Sequence, residues 1–119
     1  EPRLLEAPAG LTDGEDPAEA ALREAMEETG LKLSNLEPAG AFWSMPGCAT
    51  ERMYLYLAVY GEADRVGEGG GVEHEGEEIE VVEMPAAEAA AMLADGRIAD
   101  MKTAFLIQTL RLKRPDLFA

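Results

Sequence analysis

The stretch "DPAEAALREAMEETG", residues 16–30, constrains this chain more than any other part of it. It carries the chemistry of both helix ends. Asp16 can accept the backbone N–H groups that a first helical turn leaves open, and Glu19 follows it by three residues. Pro17 has its φ already set for the first helical position. Gly30 suits the left-handed conformation in which helices commonly stop. The spacing therefore predicts a helix over 17–29. Ala21, Leu22, Ala25 and Met26 recur at one, four and five residues and form its apolar stripe. Glu24, Glu27 and Glu28 gather on the other side, within one turn of each other. Arg23 stands four before Glu27 and can pair with it. Like charges so placed repel by about a few tenths of a kcal/mol per pair. A hard divalent cation would remove that repulsion, because it favours several carboxylate oxygens together with water and phosphate. Helical spacing alone leaves both a solvated face and a metal site open and favours the solvated face, because acidic helix faces are usually just wet.

The 119 residues suit one domain with a single core, and 47% are hydrophobic, which excludes a disordered chain. A net charge of −14, from 24 acids and 10 bases with no Lys/Arg cluster, repels nucleic acid and excludes it as a partner. A phosphorylated ligand would need a cation to bridge the like charges. The single cysteine, Cys48, leaves no disulfide framework, so a soluble cytoplasmic protein is expected. The most apolar runs, "AAEAAAMLA" and "AFLIQTL", are too short to cross a bilayer, so no membrane partner is expected. The chain opens at Glu1-Pro2 and is already mid-pattern by Leu4-Leu5, as though a further part preceded it.

Residues 3–7 read as a short strand broken by Pro8 and Gly10. "AGAFW", 39–43, reads as a strand leading into a loop marked by Pro46-Gly47. "RMYLYLAVY", 52–60, is rich in aromatic and aliphatic residues and reads as a central strand. The acidic, glycine-rich segment 61–78 is longer than an ordinary connection and reads as a functional or disordered loop. A strand is expected over 79–84 and an alanine-rich helix from Pro85 to about Ala94. Asp100 can cap a last helix over 101–113, with Ala104, Phe105, Ile107 (or Gln108) and Leu112 near its buried side. Helices and strands alternating in this way point to an α/β chain with a mixed sheet.

The flanks of the first helix add a resemblance. "GLTDGEDPAEAALREAMEETGL" is similar to the Nudix box, G-x5-E-x7-R-E-U-x-E-E-x-G-U with U aliphatic. Glu15, Arg23, Glu24, Ala25, Glu27, Glu28, Gly30 and Leu31 fall on its positions; Gly10 stands one residue too near Glu15. "LLEAPAG", "SMPGCATER", "EGEEIEVVEMP" and "IADMKTAFLIQTLRL" resemble further segments of the branch that splits ADP-ribose and nucleoside-diphosphate sugars such as GDP-mannose. The resemblance implies an α/β/α sandwich around a mixed β-sheet, a single domain over 1–119 lacking N-terminal strands, and a homodimer. It implies Mg²⁺, or Mn²⁺, held by Glu24, Glu28, Glu77 and the Ala9 carbonyl. Arg23 would orient the carboxylates, Glu27 would support them, Glu15 would be an outer acid, and Glu75 would be the general base. Pro46, Glu51 and Arg52 would contact substrate. The implied reaction is hydrolysis of the pyrophosphate bond in a small-molecule nucleoside diphosphate sugar. The alternatives are another diphosphate substrate (a nucleoside triphosphate or dinucleoside polyphosphate) or a ligand-binding module without turnover.

Bland readings stand beside these. Glu75, Glu77 and Glu78 can be a solvated loop, His74 a surface residue and Cys48 loop filling. Glycines 69–71 read as freedom for the loop to move. Phe42 and Trp43 read as core or pocket wall, or as a stacking surface for a base. Arg52 can pair with Glu51, and Lys102 and Thr103 can serve a helix cap as well as a ligand.

Overall fold

The computed structural model describes residues 7–8, 15–43, 52–71 and 79–119. The chain divides into two compact units, one of Pro8–Val82 and one of Glu83–Ala119 with the residues up to Ala7.

In the first unit, helix α1 runs Pro17–Thr29. Its ends are those that local chemistry dictates. The Asp16 carboxylate accepts the Ala18 N–H at 3.1 Å, and Gly30 closes the helix at φ 75° while donating to the Met26 carbonyl. Burial differs from the expected stripe. Ala20, Glu24, Ala25 and Glu28 are the buried positions, and Ala21, Leu22 and Met26 are half-buried. The line 20–24–28 is a single helix row, so the interior takes up two carboxylates along with the alanines.

Strand β1, Glu37–Trp43, and strand β2, Arg52–Leu57, form an antiparallel pair. Register runs from Glu37 opposite Leu57 to Trp43 opposite Arg52, with an irregularity between Pro38 and Gly40. Gly40 has φ 143°, and a Cβ there would run into the Phe42 ring, which lies over it on the same face. The expected continuation of β2 to Tyr60 does not form. Pairing stops at Glu37–Leu57, just after the segment that enters β1 turns at Asn35, whose φ is 52°. Val59 is consequently 92% exposed.

A short 3-10 turn follows at Glu62–Asp64, and then an antiparallel bridge between Arg65 and Leu31. The expected strand over 79–84 is not a strand. A segment becomes one only when a neighbour pairs with it, and the described ladder bond here is a single one, Ile79 N–H to the Gly70 carbonyl at 3.2 Å. The described pairing is wholly antiparallel, and the expected strand at 3–7 lies almost entirely outside the described residues.

In the second unit, helix α2 runs Ala86–Ala94 behind Pro85, and helix α3 runs Met101–Lys113 behind Asp100, both as the sequence predicts. Asp100 accepts from the Thr103 N–H at 3.0 Å, the Thr103 hydroxyl at 2.6 Å and Lys102 Nζ at 3.0 Å. The Ala7 N–H donates to the same Thr103 Oγ1 at 2.7 Å, which ties the N-terminal segment to the start of α3. Lys102 and Thr103 thus serve the cap. Thr103 is the buried position of α3, with Ala104, Phe105 and Ile107 half-buried. Leu112, expected near the buried side, is 85% exposed. The chain folds back through a 3-10 turn at Pro115–Phe118 to place the Phe118 ring under Arg111, and that turn leaves Leu112 in solvent.

Candidate functional site

The second half of α1, from Arg23 onward, and the residue before its cap build the site. Arg23 is the hub. Its Nε donates to Glu15 Oε1 at 2.8 Å, and Nη2 lies 2.7 Å from the same oxygen. Its Nη1 donates to Glu24 Oε1 at 2.6 Å and to Glu27 Oε1 at 3.0 Å. One planar guanidinium therefore fastens three carboxylates, a task that needs its fork of donors. The bonds to Glu15, then Glu27 and Glu24, raise the arginine further above its already high pKa against the opposing effect of burial.

Exposure separates the acids. Glu24 and Glu28 retain 7% and 8% of their accessible surface, so these two do not belong to a wet helix face. The side chains of Glu27 and Glu15 keep 23% and 30%. Charged carboxylates are seldom buried unless paired or coordinating a cation. Within the cluster of Glu15, Glu24, Glu27 and Glu28, Arg23 offsets one of four formal negative charges.

The far end of α1 is held by a segment distant in sequence. The last four carbonyls of a helix have no partner inside it. Here Met26 O accepts from Gly30 N–H, Glu27 O from Gly71 N–H and Glu28 O from Gly70 N–H, each at 2.9 Å. Thr29 O accepts from Arg65 Nη1 at 3.1 Å, and Gly30 O from the Val66 and Gly67 N–H groups at 2.9 and 3.1 Å. Gly69, Gly70 and Gly71 take φ of 75°, 101° and 91°, and a Cβ on Gly69 would lie 2.5 Å from Glu28 O. The glycine run, read from sequence as freedom to move, provides left-handed turns and close backbone approach. Arg65 was not singled out by sequence reasoning; the glycine run beside it was the available signal.

Arg52 lies elsewhere. It is exposed on the outer face of the β1–β2 pair, its guanidinium carbon 5.7 Å from both the Trp43 and Tyr54 ring centres, with Nη2 donating to Ala41 O at 3.3 Å. Its described contacts do not include the α1 carboxylates. Phe42 and Trp43 are 42% and 51% exposed, so they are surface residues and not core. Burial and then the charge of Asp16 push the Tyr56 hydroxyl above its ordinary value, and β2 lies against α1.

Ala9, Pro46, Cys48, Glu51, His74, Glu75 and Glu77 lie outside the described residues. Among the described residues, no group of three or more acidic, histidine or cysteine side chains is arranged to hold a metal by itself. Glu24 and Glu28 nevertheless offer two buried, oxygen-only donors one turn apart, which is part of the set a hard divalent cation takes.

The NUDIX domain family matches residues 1–105. The chain belongs to the Nudix family. The family generally uses divalent metal ions, in keeping with the donor chemistry on α1. A GDP-mannose pyrophosphatase of Pectobacterium atrosepticum is 49% identical over 105 residues, covering 88% of this chain and 53% of that protein. A GDP-mannose pyrophosphatase of Cronobacter sakazakii is 44% identical over 110 residues, covering 92% of this chain and 56% of that protein. The chain thus spans about half the length of the curated relatives it matches. The α/β content of helices with a small antiparallel sheet agrees with the Nudix fold expected from the sequence. Among the described residues, no helix is long and apolar enough to cross a membrane.

Proposed function

We propose that this Nudix protein hydrolyses the pyrophosphate bond of a nucleoside diphosphate sugar, GDP-mannose or ADP-ribose, with Mg²⁺ or Mn²⁺, yielding a nucleoside monophosphate and a sugar phosphate. The observation that carries the reading is the burial of Glu24 and Glu28 beside an arginine that already fastens Glu15, Glu24 and Glu27. Glu24 and Glu28 hold the cation, completed in this proposal by the Ala9 carbonyl and Glu77. When bound, the metal neutralises phosphate oxygens and lowers the pKa of coordinated water. Arg23 fixes the angle of the Glu24 carboxylate and ties Glu27 to it. Glu75 accepts a proton from the attacking water; the water oxygen bonds to phosphorus as the bridging P–O bond breaks, and the leaving phosphate keeps that electron pair. Glu51, Pro46 and Arg52 contact the substrate. Both compact units act together as one Nudix domain, in a cytoplasmic homodimer.

A ligand-binding module without turnover is the competing reading. Retention of all three acids, two of them buried, favours catalysis. The full-length protein should release monophosphate from GDP-mannose or ADP-ribose with Mg²⁺, and Glu28→Gln should lower kcat by roughly a hundredfold or more, several kcal/mol of lost transition-state stabilisation. Absence of turnover across a panel of diphosphates would sink the enzyme reading; full activity of Glu28→Gln would sink the metal assignment.

A further inference from the structure

We propose that Arg65 and Gly69–Gly71 are positioning residues for the carboxylates of α1, setting the affinity of the metal site through the helix backbone. The inference rests on the reading of Glu28 as a metal ligand. Glu27 and Glu28 are two of the acids in question, and their own carbonyls are the ones gripped by Gly71 and Gly70 at 2.9 Å each. Arg65 takes the next carbonyl, Thr29 O, and the Val66 and Gly67 amides take Gly30 O. The bridge of Arg65 with Leu31, and the Lys32 N–H on Asp64 O at 2.8 Å, extend the same seam beyond the helix. The last turn of a helix ordinarily frays, because its carbonyls find only water. Here each of its open carbonyls has a protein donor, so the backbone that carries Glu27 and Glu28 is held in one place.

Fit at this seam is close. A side chain at Gly69 would lie 2.6 Å from the Thr29 carbonyl carbon, as well as against Glu28 O, in a backbone conformation that L-residues rarely adopt. Arg65 adds a cation at the negative end of the helix dipole. Neither residue brings an oxygen donor to the metal. Their effect reaches it through the placement of Glu28, as the outer partners of metal ligands do elsewhere.

The test is Mn²⁺ binding to the full-length protein, followed by electron paramagnetic resonance, with melting temperature of the metal-free protein measured in parallel. Arg65→Met should weaken Mn²⁺ binding roughly tenfold, and Arg65→Lys, which keeps a donor for Thr29 O, should recover much of it. At fixed low metal kcat should fall while KM for the nucleotide sugar holds, and excess Mn²⁺ should restore kcat. Gly69→Ala should behave like Arg65→Met if it folds, and the arginine pair decides alone if it does not. Unchanged Mn²⁺ affinity in Arg65→Met, with only a lower melting temperature, would overturn the proposal. Unchanged affinity in Glu28→Gln would overturn the underlying assignment of Glu28 instead.

Discussion

Arg23 makes three carboxylates compatible with one short segment. Its Nε and Nη2 face Glu15 while Nη1 spans Glu24 and Glu27, so its planar geometry is used in two directions at once. A lysine has the same charge but a single nitrogen, and it cannot hold Glu15 and Glu27 apart and in place together. Arg23→Lys should therefore cost about tenfold or more in kcat/KM and weaken Mn²⁺ binding, readable by steady-state kinetics and metal titration. The sequence pointed to the Arg23–Glu27 pair through their spacing. The bond to Glu15 was not visible in that way, because it joins a helix residue to one before the cap, where helical periodicity no longer measures distance.

At the scale of elements, helix ends are the most legible feature. Asp16, Pro17 and Gly30 bound α1, and Asp100 opens α3, because a cap is made by groups within three or four residues of each other. Asp100 carries a consequence for pH. Burial works against its charged form, but hydrogen bonds from Thr103 and Lys102 prevail and hold its carboxyl below the ordinary 3.8. Its folded pKa is thus lower than its unfolded one. The stabilisation is present in full above the unfolded value and is lost as pH falls through the folded value. Asp100→Ala should destabilise the protein by about 1 kcal/mol at neutral pH, with the gap to wild type closing below about pH 4 in urea melts. Strands were less legible. The apolar character of 79–84 and of 58–60 is real, yet neither is a strand, since a strand depends on what lies beside it.

Over the whole molecule, a net charge of −14 sets the terms on which a diphosphate can approach. Three acids sit around Arg23 and Glu28 lies on the same helix, so an anionic ligand meets repulsion unless a cation stands between them. Metal removal by EDTA should therefore abolish turnover and also weaken binding of the nucleotide sugar, with Mg²⁺ or Mn²⁺ restoring both; calorimetric titration of substrate with and without metal checks the second effect. Retained substrate affinity in EDTA would mean that the chain binds the diphosphate without a bridging cation.

By itself the sequence determined where α1, α2 and α3 begin and end, and it placed Arg23, Glu24, Glu27 and Glu28 on one helix with the spacing of the Nudix box. Capping, proline and glycine act over a single turn, so a local reading suffices for them. Tertiary structure alone decided that Glu24 and Glu28 are buried, that Arg52 stacks between Trp43 and Tyr54, that Leu112 faces solvent, and that Gly69–Gly71 clasp the end of α1. Each of these depends on which distant segment lies against the residue, and periodicity along one element carries no information about its neighbour.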